Sequence, residues 1–264
     1  MGLLDGKVAI VTGASRGIGA EIARRFGTEG AAVAVVARTT DPGGSPLAGT
    51  INETVEQIRA AGGNAVAIGA NLAKPQDRER LVAETIAQLG VPDICVNNAA
   101  VTYFRRVEDF TPKQYALMFD VQVEASFHLA QLVLPGMREK GAGWILNISS
   151  IAAVHPQVPS PWGSRGGTVY GMCKAAIERF STGLAAELYN DNIAVNSLAP
   201  NKVVPTPGTI FHHLTSETDP NSEPPSVMAA AALELCSADP KSRTGRVTYS
   251  IDLLTELGVP VPTA

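Results

Sequence analysis

The chain of 264 residues carries 21 lysines and arginines against 25 aspartates and glutamates, a formal charge of −4. Its 45% hydrophobic and 17% charged residues exclude a disordered chain and suffice for one sizeable core. The acidic balance argues against a nucleic-acid partner, which is held through cationic patches, and the apolar runs are far too short for a membrane span. Cys95, Cys173 and Cys236 are odd in number and have no metal-ligand spacing. They read as small buried hydrophobes of a reducing compartment, and no metal is expected. The first residues lack a basic-then-apolar leader, so a cytoplasmic location is the expectation.

The elements alternate along the chain. Val8–Val11 reads as a strand, and Ile18, Ile22 and Phe26 then recur at helical spacing. Ala32–Val36 is the second strand, followed by a helix carrying Ile51, Val55 and Ile58. Ala65–Ile68 is the third, with Val82, Ile86 and Leu89 on the helix after it. Ile94–Val96 is the fourth, and a long helix follows with Phe119, Val123, Phe127, Ala130 and Leu134 on one stripe. Trp144–Ile148 is the fifth strand, Ile177, Phe180, Leu184 and Leu188 mark the next helix, and Ile193–Val195 is the sixth strand. A helix over 227–235 and a strand over 246–251 close the series.

Apolar strands without clean alternation are covered on both faces, and strands separated by helices pair in parallel through right-handed crossovers. The pattern therefore predicts an α/β fold: a doubly wound parallel sheet, a Rossmann fold, with about seven strands and helices on both faces. No stretch has the composition of a linker, so residues 1–264 read as a single dinucleotide-binding domain. Three segments rich in Pro, Gly, Ser and Thr, at 39–50, 152–168 and 200–226, follow the second, fifth and sixth strands. All three fall at the carboxyl edge, where this architecture binds ligands, and the latter two are the expected substrate loops.

Thr12-Gly-Ala-Ser-Arg-Gly-Ile-Gly19 stands between the first strand and its helix. Gly13 and Gly17 admit backbone angles closed to other residues, and their lack of side chains lets a pyrophosphate approach the amides of Ser15, Arg16 and Ile18. Gly19 permits close packing of helix on strand. A tight structural turn would also use glycines, but the strand–loop–helix setting favours dinucleotide binding. An acid ending the second strand would bond the adenosine ribose and repel a 2′-phosphate. Here Ala37 is followed by Arg38, with Arg16 nearby in the loop, so NADP is expected and NAD less so.

Tyr170 and Lys174 are four apart on a predicted helix and share a face, with Ser150 upstream at the end of the fifth strand. An ammonium beside a phenol stabilises its ionised form, which suits the phenol to proton transfer. A surface tyrosine–lysine pair would look the same in isolation.

With these residues assembled, the chain resembles the short-chain dehydrogenase/reductase family over nearly its whole length. The resemblance rests on the glycine motif, Asn97-Asn98-Ala99, Asn147-Ile-Ser-Ser150, Tyr170-x-x-x-Lys174 and Leu198-Ala-Pro200, in family order. It implies that Tyr170 donates and accepts the proton and that Ser150 holds the substrate oxygen. Lys174 would bind the nicotinamide ribose and lower the tyrosine pKa. It further implies that Asn71 and Leu72 contact adenine, that Asn98, Ala99 and Pro200 line the cofactor, and that the Val203 backbone meets the carboxamide. Ala100, Gln122, Asn201 and Pro205 depart from the pattern. Gln122 stands where the family's fourth catalytic residue is an asparagine. The insertion at 42–50 and the tail are similar, more weakly, to the hydroxysteroid dehydrogenase-like 2 branch.

The resulting expectation is an NADP(H)-dependent oxidoreductase interconverting a secondary alcohol and its carbonyl. The alternative is an NADP(H)-binding sensor with impaired catalysis, motivated by Gln122, Asn201 and Pro205. By analogy with the family, a homo-oligomer, dimer or tetramer, is expected. His212-His213 has no third metal ligand at a suitable spacing, and His155 and Ser164 lack a nucleophile-elbow frame. Trp162 either covers a substrate or anchors its loop.

Overall fold

A computed structural model of the chain describes residues 2–159 and 166–263. Seven strands form one parallel sheet: β1 (Val8–Thr12), β2 (Ala32–Ala37), β3 (Asn64–Gly69), β4 (Ile94–Asn97), β5 (Gly143–Ile148), β6 (Ile193–Ala199) and β7 (Val247–Tyr249). Their spatial order is β3-β2-β1-β4-β5-β6-β7. The order reverses between β1 and β4, which opens a crevice at the carboxyl ends of those two strands.

The helices are α1 (Gly17–Thr28), α2 (Ile51–Ala60), α3 (Pro75–Leu89), α4 (Pro112–Phe119), α5 (Ala125–Lys140), α6 (Thr168–Leu188), α7 (Pro207–Phe211), α8 (Pro225–Ser237) and α9 (Ser250–Glu256). The strands feed two cores, one on each face, because their side chains point alternately up and down. Ala9, Val11, Val33, Val35, Ile94 and Val96 meet Ile22 and Phe26 of α1, Ile51 and Ile58 of α2 and Met228 of α8. Ile10, Ala34, Val36, Cys95 and Ile145 meet Leu81 of α3, Leu129 and Val133 of α5 and Leu188 of α6. This double coverage is why the strands read as continuous apolar runs.

Local structure departs from the sequence expectation in a few places. On α3 the inner face is Arg78, Leu81, Val82 and Thr85, while Ile86 is exposed. Thr85 tolerates burial because its hydroxyl donates to the Leu81 carbonyl at 2.7 Å. The long helix expected over 119–134 is two helices joined by a π-helical turn at Asp120–Glu124. One extra residue in a turn rotates everything after it, so Phe127 faces outward against Phe180, with ring centroids 5.9 Å apart. The last strand ends at Tyr249, and Ile251 belongs to α9. The loop expected over 200–226 contains α7 and gives way to α8 at Pro225. In the 152–168 stretch a short 3-10 turn occupies Ile151–Ala153, and Thr168 opens α6. Ser164 and Trp162 lie outside the described residues. No described helix is long and apolar enough to cross a membrane.

Candidate active site

The glycine loop leaves β1 and enters α1 with Gly13 at φ +66° and Gly17 at φ +57°, where a side chain would strain the backbone. A Cβ on Gly13 would meet the Ala99 Cα at 2.8 Å, and one on Gly19 would run into Asn98 and the Gly13 carbonyl. The loop is thus seated against the end of β4. Thr12 fastens this seat: its buried hydroxyl accepts the amides of Asn98 (3.0 Å) and Ala99 (3.2 Å) and donates to Val96 O at 3.1 Å. Asn98 Nδ2 donates back to Thr12 O at 2.9 Å. Helix α1 begins without a side-chain cap and with no acid in its first turn, so no protein carboxylate competes for the positive end of its dipole. Ser15 is buried and Ile18 half-buried in this turn.

Along the same edge, Ala14 N donates to Val36 O (3.1 Å) and Ala70 N to Ala37 O (3.0 Å), drawing the ends of β1, β2 and β3 together. Arg38 is exposed just beyond β2. Arg16 is less free than its sequence position suggests. Its Nη1 donates to Ser45 Oγ (3.0 Å) and its Nη2 to Gly49 O (2.7 Å), which pins the 39–50 loop over the cleft. Burial, and then the charge of Arg38, push the Arg16 pKa down, so the two guanidiniums feel each other. Asn71 and Leu72 follow β3 in a tight turn: Asn71 N donates to Asp77 Oδ2 (2.7 Å), and Asn71 Oδ1 accepts from Ala73 N (3.2 Å). That amide bond, foremost, holds the Asp77 carboxyl below its usual range. Pro200 and Val203 lie beyond β6, and the Val203 carbonyl accepts from Glu223 N at 3.2 Å.

Ser150, at the end of β5, and Tyr170, in the first turn of α6, are hydrogen-bonded through their hydroxyls. Burial raises the Tyr170 phenol above its ordinary 10, and the Ser150 bond opposes that rise. Lys174 is buried one turn on. Its Nζ donates to Ile148 O at 2.8 Å and stands 5.5 Å from the Tyr170 ring centroid. Desolvation lowers its pKa to about 8. At the phenol burial is the largest influence, and the Lys174 ammonium sits over the ring and bonds the Ile148 carbonyl.

Gln122 is 1% exposed in the π-helical turn. Its Nε2 donates to Val101 O at 3.0 Å, while its Oε1 is buried with no hydrogen-bond partner. An orphaned buried acceptor costs stability unless something donates to it.

Two residues of the site, Thr206 and Phe104, were not singled out from sequence, and His212 was considered there only as a metal ligand. The Cγ2 of Thr206 lies 2.8 Å from where a Gly17 Cβ would stand, and its hydroxyl accepts from Thr209 N to cap α7. Thr206, next to Pro205, is thus the residue that reaches the glycine loop. Phe104 packs edge-on against Tyr170 (centroids 5.8 Å), and His212 packs edge-on against Phe104 (5.4 Å). No spacing rule reveals contacts between residues so far apart in the chain.

Over residues 7–212 the chain matches the short chain dehydrogenase family. It is 35% identical to versicolorin reductase 1 of Aspergillus parasiticus, over 83% of this chain and 77% of that protein. It is also 35% identical to the 7α-hydroxysteroid dehydrogenase of Escherichia coli, over 89% and 88%. Among solved structures, L-sorbose reductase from Gluconobacter frateurii, complexed with NADPH and L-sorbose, superposes with a TM-score of 0.79 at 28% identity, covering 94% of this chain and 96% of that one. A serine, tyrosine and lysine converging beside a glycine loop in this topology, together with these matches, make the chain a member of the short-chain dehydrogenase/reductase family.

Proposed function

We propose that this enzyme interconverts a secondary alcohol and its carbonyl with NADP(H), using Tyr170 as acid and base. The convergence of Ser150, Tyr170 and Lys174 in one cluster carries the reading. The residues present fit the dinucleotide. The start of α1 is uncapped and carries no acid, so its amides and dipole are available to a pyrophosphate, and the Arg16–Arg38 pair faces no acid at position 37. When bound, NADP(H) supplies the hydride acceptor or donor.

The Ser150 hydroxyl orients the substrate oxygen. In reduction, the phenol at Tyr170 Oη, protonated at neutral pH, gives its proton to that oxygen; in oxidation its conjugate base removes one. Lys174 holds a ribose hydroxyl and returns the proton to the phenol. Gln122, whose Oε1 has no partner, takes the place of the family's asparagine in that relay. The complete cluster argues against the sensor alternative. Absorbance at the nicotinamide band during turnover of alicyclic, terpenoid, steroid and acyl alcohols and ketones, with both cofactors, tests the reading. No turnover on any of them, with NADPH still bound, would favour the sensor.

Two further outcomes are expected. Gln122→Asn keeps the amide and is tolerated, while Gln122→Ala slows oxidation less than Tyr170→Phe does; equal loss in the two would make Gln122 indispensable. The chain forms a homo-oligomer, since Phe127, Phe180 and Met172 give the outer faces of α5 and α6 an apolar surface. Light scattering at micromolar concentration checks this, and a monomer would refute it.

A further inference from the structure

The loop between β6 and α8 is tied at its base by a buried acid that the catalytic cluster does not use. Glu223 is 2% exposed. Its Oε1 accepts from the Ser250 hydroxyl at 2.6 Å, and its Oε2 accepts from Lys202 N at 3.1 Å. Its own backbone N–H donates to Val203 O at 3.2 Å, so the two ends of the loop bridge each other. Ser250, fully buried, opens α9, and its Oγ accepts from Asn201 N at 3.3 Å. Asn201 Oδ1 in turn accepts from Ile251 N (2.7 Å) and Asp252 N (3.3 Å), the first amides of α9. Three chain segments are joined here through one carboxylate and one amide.

We propose that Glu223 is a positioning residue whose carboxylate clamps both ends of the 201–223 loop to α9 and so fixes the Val203 backbone for the cofactor. The inference rests on the cofactor reading above. A buried carboxylate is costly unless its oxygens are satisfied. Here the hydroxyl and the Lys202 amide satisfy it, and burial still pushes its pKa up. The clamp sets more than Val203. Three residues on, Thr206 leans on Gly17 of the dinucleotide loop, and His212, beyond α7, packs edge-on against the Phe104 that packs against Tyr170. With its base pinned, the loop spans from the glycine turn to the catalytic tyrosine as one arch.

The test compares Glu223→Ala and Glu223→Gln with the wild type by amide hydrogen exchange on the full chain and by NADPH titration. The glutamine keeps an acceptor for Lys202 N and a donor for Ser250. It is expected to stay within about twofold of wild type on both readouts, because the same three groups remain paired. The alanine is expected to speed exchange over 201–223 by about tenfold relative to the sheet strands and to weaken NADPH by about tenfold, with kcat at saturating cofactor changed far less. Exchange raised evenly along the whole chain, or NADPH affinity unmoved in Glu223→Ala, would overturn the clamp. Should Glu223→Ala not fold, Ser250→Ala removes one hydroxyl only; faster exchange confined to 201–223 would support the clamp, and unchanged exchange there would overturn it. A wild-type chain that binds no NADPH overturns the cofactor reading instead, which separates the two failures.

Discussion

Replacing Tyr170 by phenylalanine is expected to cut turnover by roughly 10²–10⁴, the usual contribution of a positioned general acid or base. NADPH affinity should hardly change. Phe104 packs against the ring edge and the Lys174 ammonium lies over its face, and both contacts survive loss of the hydroxyl. Ser150 loses its hydroxyl partner, a neutral bond worth about 1 kcal/mol, too little to unfold the chain. The pH profile sharpens the test. Burial holds the phenol above its ordinary value, so at neutral pH it is protonated and ready to donate. Carbonyl reduction should be flat across the neutral range. It should fall as pH rises through about 8, where Lys174 sheds its charge. Alcohol oxidation needs the phenolate and should rise with pH. Lys174→Ala leaves the Ile148 carbonyl without its donor and should harm both turnover and cofactor binding. Near wild-type turnover in Tyr170→Phe, with an unchanged profile, would sink the mechanism whatever the glycine loop binds.

The inner strands β1, β2, β4, β5 and β6 were legible because each is a short apolar run buried on both faces. The glycine turn and the Tyr170–Lys174 spacing were legible because each is set by a local geometric need. What escaped the sequence is what depends on distant partners. Ile86 and Thr85 exchange places because one hydroxyl can satisfy itself on Leu81 inside α3. The π-helical turn at Gln122 leaves no mark in periodicity, since one extra residue only displaces a stripe. Arg16 has the charge expected of it, yet Ser45 and Gly49 claim its donors. Thr206 lies one residue past Pro205, and only the fold brings it against Gly17. Glu223 is an ordinary surface-type residue in the sequence, and only the fold brings Ser250 and Lys202 to it.

Arg38→Ala is expected to weaken NADPH by about tenfold or more and to leave NADH nearly untouched, because a charge-assisted contact is worth about 1.5–3 kcal/mol. The asymmetry between the two cofactors is the informative part. They differ only in the 2′-phosphate, so a residue acting on that group alone must discriminate, while one that merely supports the fold would weaken both. Arg38 is exposed and should have its donors available. Arg16 is held by the 39–50 loop, so it contributes field more than contact. Arg16→Ala would also release Ser45 and Gly49 and is expected to weaken both cofactors. A dianionic phosphate between two guanidiniums relieves the repulsion that already lowers the Arg16 pKa. Ala37→Asp reverses the electrostatics from the other side. A carboxylate ending β2 would accept from the ribose hydroxyls of NADH and repel the phosphate of NADPH. Combined with Arg38→Ala, it is expected to move the NADPH/NADH affinity ratio further than Arg38→Ala alone, by less than the product of the two because both act on one phosphate. Titration of the wild type with both cofactors decides the premise: equal affinities would mean that neither arginine reads the phosphate, and the selectivity argument would fall with them.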